Sequence, residues 1–216
     1  PTGAVLAINR RREIAGLLDG SPVPLVEDAA LADLAWAQLP PPIASFCASA
    51  SVALVGSLSK VFWGGLRVGW VRAPEPIALR FARVKATQDL GSSAVSQLLA
   101  DRLLRLAGVG EFVAERKREL RQRYDVLAAH LRHRLPDWTW DEPAGGMSIW
   151  VRVPTPDVEA FSLTCLRHGV AVATASALSP SAAPPDRLRI SFSAPGSALI
   201  EGAERLAAAW AVHVGR

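Results

Sequence analysis

Gly56-Ser57-Leu58-Ser59-Lys60-Val61-Phe62-Trp63-Gly64-Gly65-Leu66-Arg67-Val68-Gly69-Trp70 is the stretch on which the reading of the chain turns. Two short apolar runs flank it, Val52 to Val55 and Val68 to Val71, each of a length suited to a buried strand. The link between them is too short for a parallel crossover with a full helix and contains Gly64 and Gly65, which predicts neighbouring antiparallel strands joined by a glycine-containing loop. The loop carries two hydroxyls, one lysine and one arginine. The chain has 24 basic residues, and Lys60, Lys85 and Lys117 are its only lysines. A lysine placed in a tight polar loop of such a chain calls for a chemical reason.

Arginine stays protonated and cannot act as an amine nucleophile, whereas a desolvated lysine can condense with an aldehyde. Ser57, Ser59 and Arg67 suit a phosphate, with two hydroxyl donors and a guanidinium fork that binds oxygens in pairs. An amine and a phosphate cradle in one loop suggest pyridoxal 5'-phosphate; a solvated surface loop is the competing reading. Ser57-Leu58-Ser59-Lys60 also fits S-x-x-K, the serine nucleophile motif of penicillin-recognising enzymes. The S-D-N and K-T-G strings of that chemistry occur nowhere in the 216 residues.

Half the residues are apolar and a fifth charged, the balance of a globular protein. No apolar run reaches the ~18 residues of a membrane span, and no secretory signal is visible at Pro1-Thr2-Gly3-Ala4, so the expected location is cytoplasmic. Cys47 and Cys165 stand apart without metal-type spacing and read as buried thiols of a reducing compartment. The net charge of +4 reflects arginine use throughout rather than a nucleic-acid surface. Neither zinc spacing nor a helix-turn-helix with a basic recognition helix is present.

Taken in order, residues 5–18 predict an amphipathic helix ended by Asp19-Gly20. Pro22–Val26 reads as a short strand running into Glu27 and Asp28, and α/β folds place ligands at the C-terminal ends of strands. Asp28 is thus a candidate for binding a protonated pyridine nitrogen; it equally suits the N-cap of a helix over 29–34. After Trp70 helix takes over, with one segment over 92–107. The longest periodic segment, 111–135, repeats Leu120, Tyr124, Leu127, Leu131 and Leu135, and sets Glu119 and Arg123 for an i,i+4 pair. Ser148–Val153 reads as a strand, and Thr155-Pro156-Asp157 as a capped helix start. A short strand is expected at 170–173, a small-residue loop at 179–185, a strand around Leu188, Ile190 and Phe192, and a helix over 197–214. Arg189 falls on the strand face opposite to those apolar residues, either in a cleft where it binds a carboxylate or at a solvent-facing edge. His130, His133, His168 and His213 lack the spacing of a triad or metal site.

Together these stretches resemble the fold type I pyridoxal-phosphate enzymes, the aspartate aminotransferase superfamily, and within it the C-terminal aminotransferase-like domain of MocR-type regulators of the GntR family. Pro1-Thr2-Gly3 resembles the end of an N-P-T-G motif. Val26-Glu27-Asp28 is similar to the strand that bears the pyridine-nitrogen aspartate. Ser57-Leu58-Ser59-Lys60 with Gly65-Leu66-Arg67-Val68-Gly69-Trp70 resembles the family's cofactor loop. Gly145-Gly146-Met147 and Leu188-Arg189-Ile190-Ser191-Phe192 resemble small-domain strands, the second with the arginine that holds a substrate α-carboxylate.

The resemblance implies an α/β fold: the C-terminal part of a fold type I aminotransferase, with a portion of its mostly parallel sheet and a small α+β domain. The expected division is 1–110 for the large-domain part, 111–136 for a long connecting helix and 137–216 for the small domain. A chain of this kind is expected to continue a longer polypeptide, with an upstream half that carries a further phosphate-binding turn, and a winged helix before it for DNA. A homodimer is implied as well. Family enzymes often have a tyrosine two or three residues after the aspartate, and Ala30 and Leu31 stand there instead. The implied function is therefore an effector domain with pyridoxal phosphate on Lys60, its phosphate on Ser57, Ser59 and Arg67, its ring nitrogen on Asp28, and an amino compound sensed by aldimine exchange with its carboxylate on Arg189. The alternatives are a working aminotransferase, with Lys60 as general base, and an interaction module without cofactor.

Overall fold

The computed structural model describes residues 1–178 and 186–215. Its elements run α1 (Ile8–Leu18), β1 (Leu25–Asp28), β2 (Val52–Ser57), β3 (Gly69–Arg72), α2 (Glu75–Asp89), α3 (Ala94–Arg105), α4 (Val109–Arg134), β4 (Ser148–Arg152), α5 (Val158–Arg167), β5 (Ala173–Thr174), α6 (Ala175–Leu178), β6 (Arg187–Ser191) and α7 (Gly196–Val214). They fall into two compact units, one of residues Val5–Arg116, the other of Pro1–Ala4 with Lys117–Arg216. The expected loop over 179–185 lies outside the described residues.

The first unit is built on a three-stranded sheet in the order β1-β2-β3. β1 lies parallel to β2, with Asp28 beside Val55, and β3 runs antiparallel to β2, with Trp70 beside Gly56. The antiparallel pairing is the one predicted from the short glycine-containing link. Between β1 and β2 the chain makes 3-10 turns at Ala32–Leu34 and Ile43–Phe46. The helix expected over 29–34 is only that first turn, because the Asp28 carboxylate receives the N–H of Ala30 two residues on (2.8 Å) and so closes a local turn.

The Asp19 carboxylate joins the end of α1 to the segment before β2. It receives the N–H groups of Ala48 (3.0 Å), Ser49 (2.9 Å) and Ala50 (3.1 Å). The Ser49 and Ala48 N–H bonds hold its carboxyl below the ordinary aspartate range. A depressed carboxyl contributes stability that is present above the unfolded-state pKa of ~3.9 and is lost as pH falls through the folded value. Asp19→Ala is expected to lower the urea midpoint at pH 6, and the gap to wild type is expected to narrow below about pH 4. An equal gap at both pH values excludes this account.

In the second unit Leu120, Tyr124, Leu127, Leu131 and Leu135 are all buried, as their spacing predicted. The Tyr124 ring meets Phe192 edge-on (5.7 Å), and its hydroxyl receives the Trp140 indole N–H (3.3 Å). Arg123 pairs with Glu119 at i,i+4 and also donates to the Ser193 carbonyl. The sheet here is antiparallel in the order β4-β6-β5. Its inner face buries Ile149, Val151, Leu188 and Ile190, and Trp138, Phe161 and Trp210 pack edge to face beside α5 and α7.

Several boundaries differ from expectation. α1 begins at Ile8 rather than at residue 5. α5 is capped by Asp157, which receives the Ala160 N–H (2.8 Å), because the Thr155 hydroxyl is occupied by the Asp157 N–H and the His213 ring. The strand expected over 170–173 is the two-residue β5. Cys165 is buried, and burial pushes its thiol up to about 12, which makes it inert. Cys47 is only half-buried. Among the described residues no helix is long and apolar enough to cross a membrane, and no group of acidic, histidine and cysteine side chains could hold a metal.

Candidate functional site

The loop between β2 and β3 is anchored from below and open above. Leu58, Val61 and Leu66 are buried, and Leu58 and Leu66 share a cluster with Ala100 of α3, with Phe62, Val68 and Leu103 packed around it. Phe62 also stacks on Phe112 (5.5 Å). Every buried residue of the loop is apolar, so its polar side chains are left to the other side. The neck is closed by the Leu58 N–H on the Val68 carbonyl (3.0 Å), and a turn by the Phe62 N–H on the Leu58 carbonyl (3.0 Å). The Ser57 hydroxyl receives the Ser59 N–H (3.2 Å).

The glycines at the neck have steric reasons. A Cβ on Gly69 would stand 2.7 Å from the Gly56 carbonyl oxygen, and one on Gly56 would stand 2.2 Å from the Trp70 ring. The strands and the indole therefore approach one another more closely than any other residue allows.

Lys60 and Arg67 are exposed, Ser57 and Ser59 half-buried. No hydrogen bond or ion pair to another described residue engages Lys60 or Arg67. The desolvation invoked for Lys60 from sequence is not supplied by this loop, because its side chain leaves on the open side between buried Leu58 and Val61. Arg67 sits in the left-handed region at φ 52°, ψ 33°, a conformation that costs a non-glycine residue ~1–2 kcal/mol. The sequence gives no signal of this, since arginine is not a residue chosen for such a turn.

Asp28 ends β1, beside Val55 and therefore two residues before Ser57 on the neighbouring strand. It is exposed, and the alternation of the strand turns Glu27 to the other face. Glu27 is nearly buried and clamped: its Oε1 receives Arg11 Nη1 of α1 (2.5 Å) and its Oε2 the Ile43 N–H (2.9 Å). Arg11 also donates to the carbonyls of Leu6 (3.0 Å) and Pro41 (3.4 Å). The sequence reading passed over this pair, because two charges 16 residues apart follow no helical or strand spacing.

Asp28, Ser57, Ser59, Lys60 and Arg67 thus come from one sheet end in the first unit. Arg189 belongs to the second unit, exposed on β6 between Trp150 of β4 and Ala173 of β5. In the first unit the donor set is a primary amine, two hydroxyls and a guanidinium on one loop, with a carboxylate one strand away. Those groups fit an aldehyde that also carries a phosphate and a protonated ring nitrogen, the chemistry of pyridoxal phosphate.

Residues 1–206 match the family model described as aminotransferase class I and II. The uncharacterized HTH-type transcriptional regulator YisV of Bacillus subtilis is 37% identical over 153 residues, 70% of this chain and 32% of that protein. The uncharacterized aminotransferase SSO0104 of Saccharolobus solfataricus is 28% identical over 210 residues, 95% of this chain and 52% of that one. Among solved structures, LysN, an α-aminoadipate aminotransferase from Thermus thermophilus complexed with N-(5'-phosphopyridoxyl)-L-leucine, superimposes with a TM-score of 0.93 at 24% identity. That match covers 100% of this chain and 57% of LysN. The chain spans about a third to about a half of the curated relatives it matches.

Proposed function

Because this chain belongs to the class I and II aminotransferase family, we propose that it is the pyridoxal-phosphate-binding effector part of a MocR-type transcriptional regulator, responding to an amino compound. The observation that carries this reading is the likeness to an HTH-type regulator, YisV, of which this chain covers only 32%. It is supported by the missing tyrosine: the chain's only one, Tyr124, is buried and engaged by Trp140, and Ala30 and Leu31 follow the aspartate.

When bound, pyridoxal phosphate supplies an aldehyde that condenses reversibly with primary amines and a ring that draws electrons from the attached carbon. In this proposal Lys60 holds the cofactor through its amine. Ser57, Ser59 and Arg67 bind the phosphate, and the Asp28 carboxylate keeps the ring nitrogen protonated. Arg189 receives the carboxylate of the incoming amino compound. Residues 1–110 serve as the cofactor-binding part, 111–136 as a connecting helix and 137–216 as the small domain. The whole protein is proposed to be a cytoplasmic homodimer that reaches DNA through a winged helix outside this chain.

The test uses the full-length protein loaded with pyridoxal phosphate, the twenty amino acids one at a time, and DNA from upstream of its own coding sequence. The expected result is a change in the cofactor's absorption with one amine, and in DNA affinity, without net conversion of added 2-oxoglutarate. Steady conversion makes it an aminotransferase instead. A preparation that stays colourless makes it an interaction module.

A further inference from the structure

We propose that the Arg11–Glu27 ion pair is a register lock on β1 that presents Asp28, and not the neighbouring carboxylate, at the candidate site; what Asp28 binds there rests on the cofactor reading above. β1 has four residues and lies parallel to β2, with Asp28 beside Val55. In a parallel strand a slip of one residue exchanges the two faces. Here the slip would carry a particular penalty. Glu27 and Asp28 are both carboxylates, so a shifted strand would turn Asp28 toward Arg11 and bring Glu27, one methylene longer, to the open face.

The lock is built from three segments. Arg11 reaches from α1 to Glu27 Oε1 through Nη1 (2.5 Å), the same Nη1 donates to the Pro41 carbonyl, and Nε holds the Leu6 carbonyl. The Ile43 N–H holds Glu27 Oε2 (2.9 Å). Both side chains of the pair are only 12% exposed, so either one left alone would be a poorly hydrated charge. On the opposite face the Asp28 side chain, among the described residues, receives only the Ala30 N–H, and the Ala29 N–H binds the Val55 carbonyl (2.8 Å). These two amides report whether β1 ends in register. Arg11 is therefore a positioning residue, acting on Asp28 through Glu27 and the strand.

The test has two arms in the full-length protein. Without cofactor, amide hydrogen exchange at Ala29 and Ala30 is expected to quicken about tenfold in Arg11→Met, and Arg11→Lys, which keeps a cation on Glu27, is expected to restore most of the protection. With pyridoxal phosphate, Arg11→Met is expected to change the circular dichroism of the cofactor band as Asp28→Asn does, and to weaken retention about tenfold, the loss typical of removing an outer support. If Arg11→Met does not fold, Glu27→Gln takes its place, since it keeps the Ile43 bond and removes the charge. Unchanged exchange overturns the lock. Faster exchange with an unaltered cofactor band and retention overturns its link to Asp28. A wild-type protein without any cofactor band overturns the cofactor reading, and the exchange arm still decides the lock.

Discussion

Full-length protein carrying Lys60→Ala is expected to lose covalent attachment of pyridoxal phosphate altogether. The yellow band near ~420 nm disappears, since that colour belongs to the cofactor joined to an amine. Borohydride, which fixes the cofactor to the wild-type chain, leaves the variant unlabelled. Lys60→Arg behaves in the same way despite its charge, because a guanidinium does not serve as an amine nucleophile. Lys60 is exposed and engages no other described residue, so both variants keep their stability within about 0.5 kcal/mol. The measurement is absorbance with mass analysis after reduction; a variant that still carries a borohydride-fixed cofactor places the attachment at another lysine.

The second large effect is expected at Arg67, with opposite signs for fold and ligand. Glycine adopts φ 52°, ψ 33° without steric cost, so Arg67→Gly relieves the strain and is expected to raise the unfolding free energy by about 1 kcal/mol, less the extra entropy that glycine gains in the unfolded chain. It also removes a guanidinium proposed to hold the cofactor phosphate. Hydrogen bonds to charged groups are worth ~1.5–3 kcal/mol each, so retention of pyridoxal phosphate is expected to weaken on the order of tenfold to a hundredfold. Arg67→Lys separates charge from shape: it keeps the strain and the cation and loses the fork. Urea unfolding and cofactor dissociation, measured on the same preparations, decide the matter. A glycine variant that binds as tightly as wild type removes Arg67 from the phosphate cradle.

Much of the architecture was legible because it is written in local patterns. The short link with Gly64 and Gly65 announced the antiparallel β2–β3 pair, and the buried row from Leu120 to Leu135 announced α4. The candidate cofactor loop could be singled out because its polar residues are adjacent in sequence. Other features depend on competition or on distance. Asp28 had an N-cap and a ligand as rival uses, and in the structure its carboxylate closes a two-residue turn on Ala30. Thr155 looked like a helix cap, but His213, 58 residues away, occupies its hydroxyl, and the cap passes to Asp157. The Arg11–Glu27 clamp joins a helix to a strand, and no spacing rule anticipates it. The exposure of Lys60 was hidden for a related reason: a loop sequence shows which residues are polar, not what covers them.

The backbone at position 67 also bears on how this chain could drift. Every arginine codon lies one first-base change from a glycine codon, so the mutation that relaxes the turn is among the most accessible to the gene. Selection on folding alone would favour that replacement. An arginine kept against it gives the population a genetic signature to look for: glycine alleles at this site should rise in lineages where the ligand has ceased to matter and be purged where it has not.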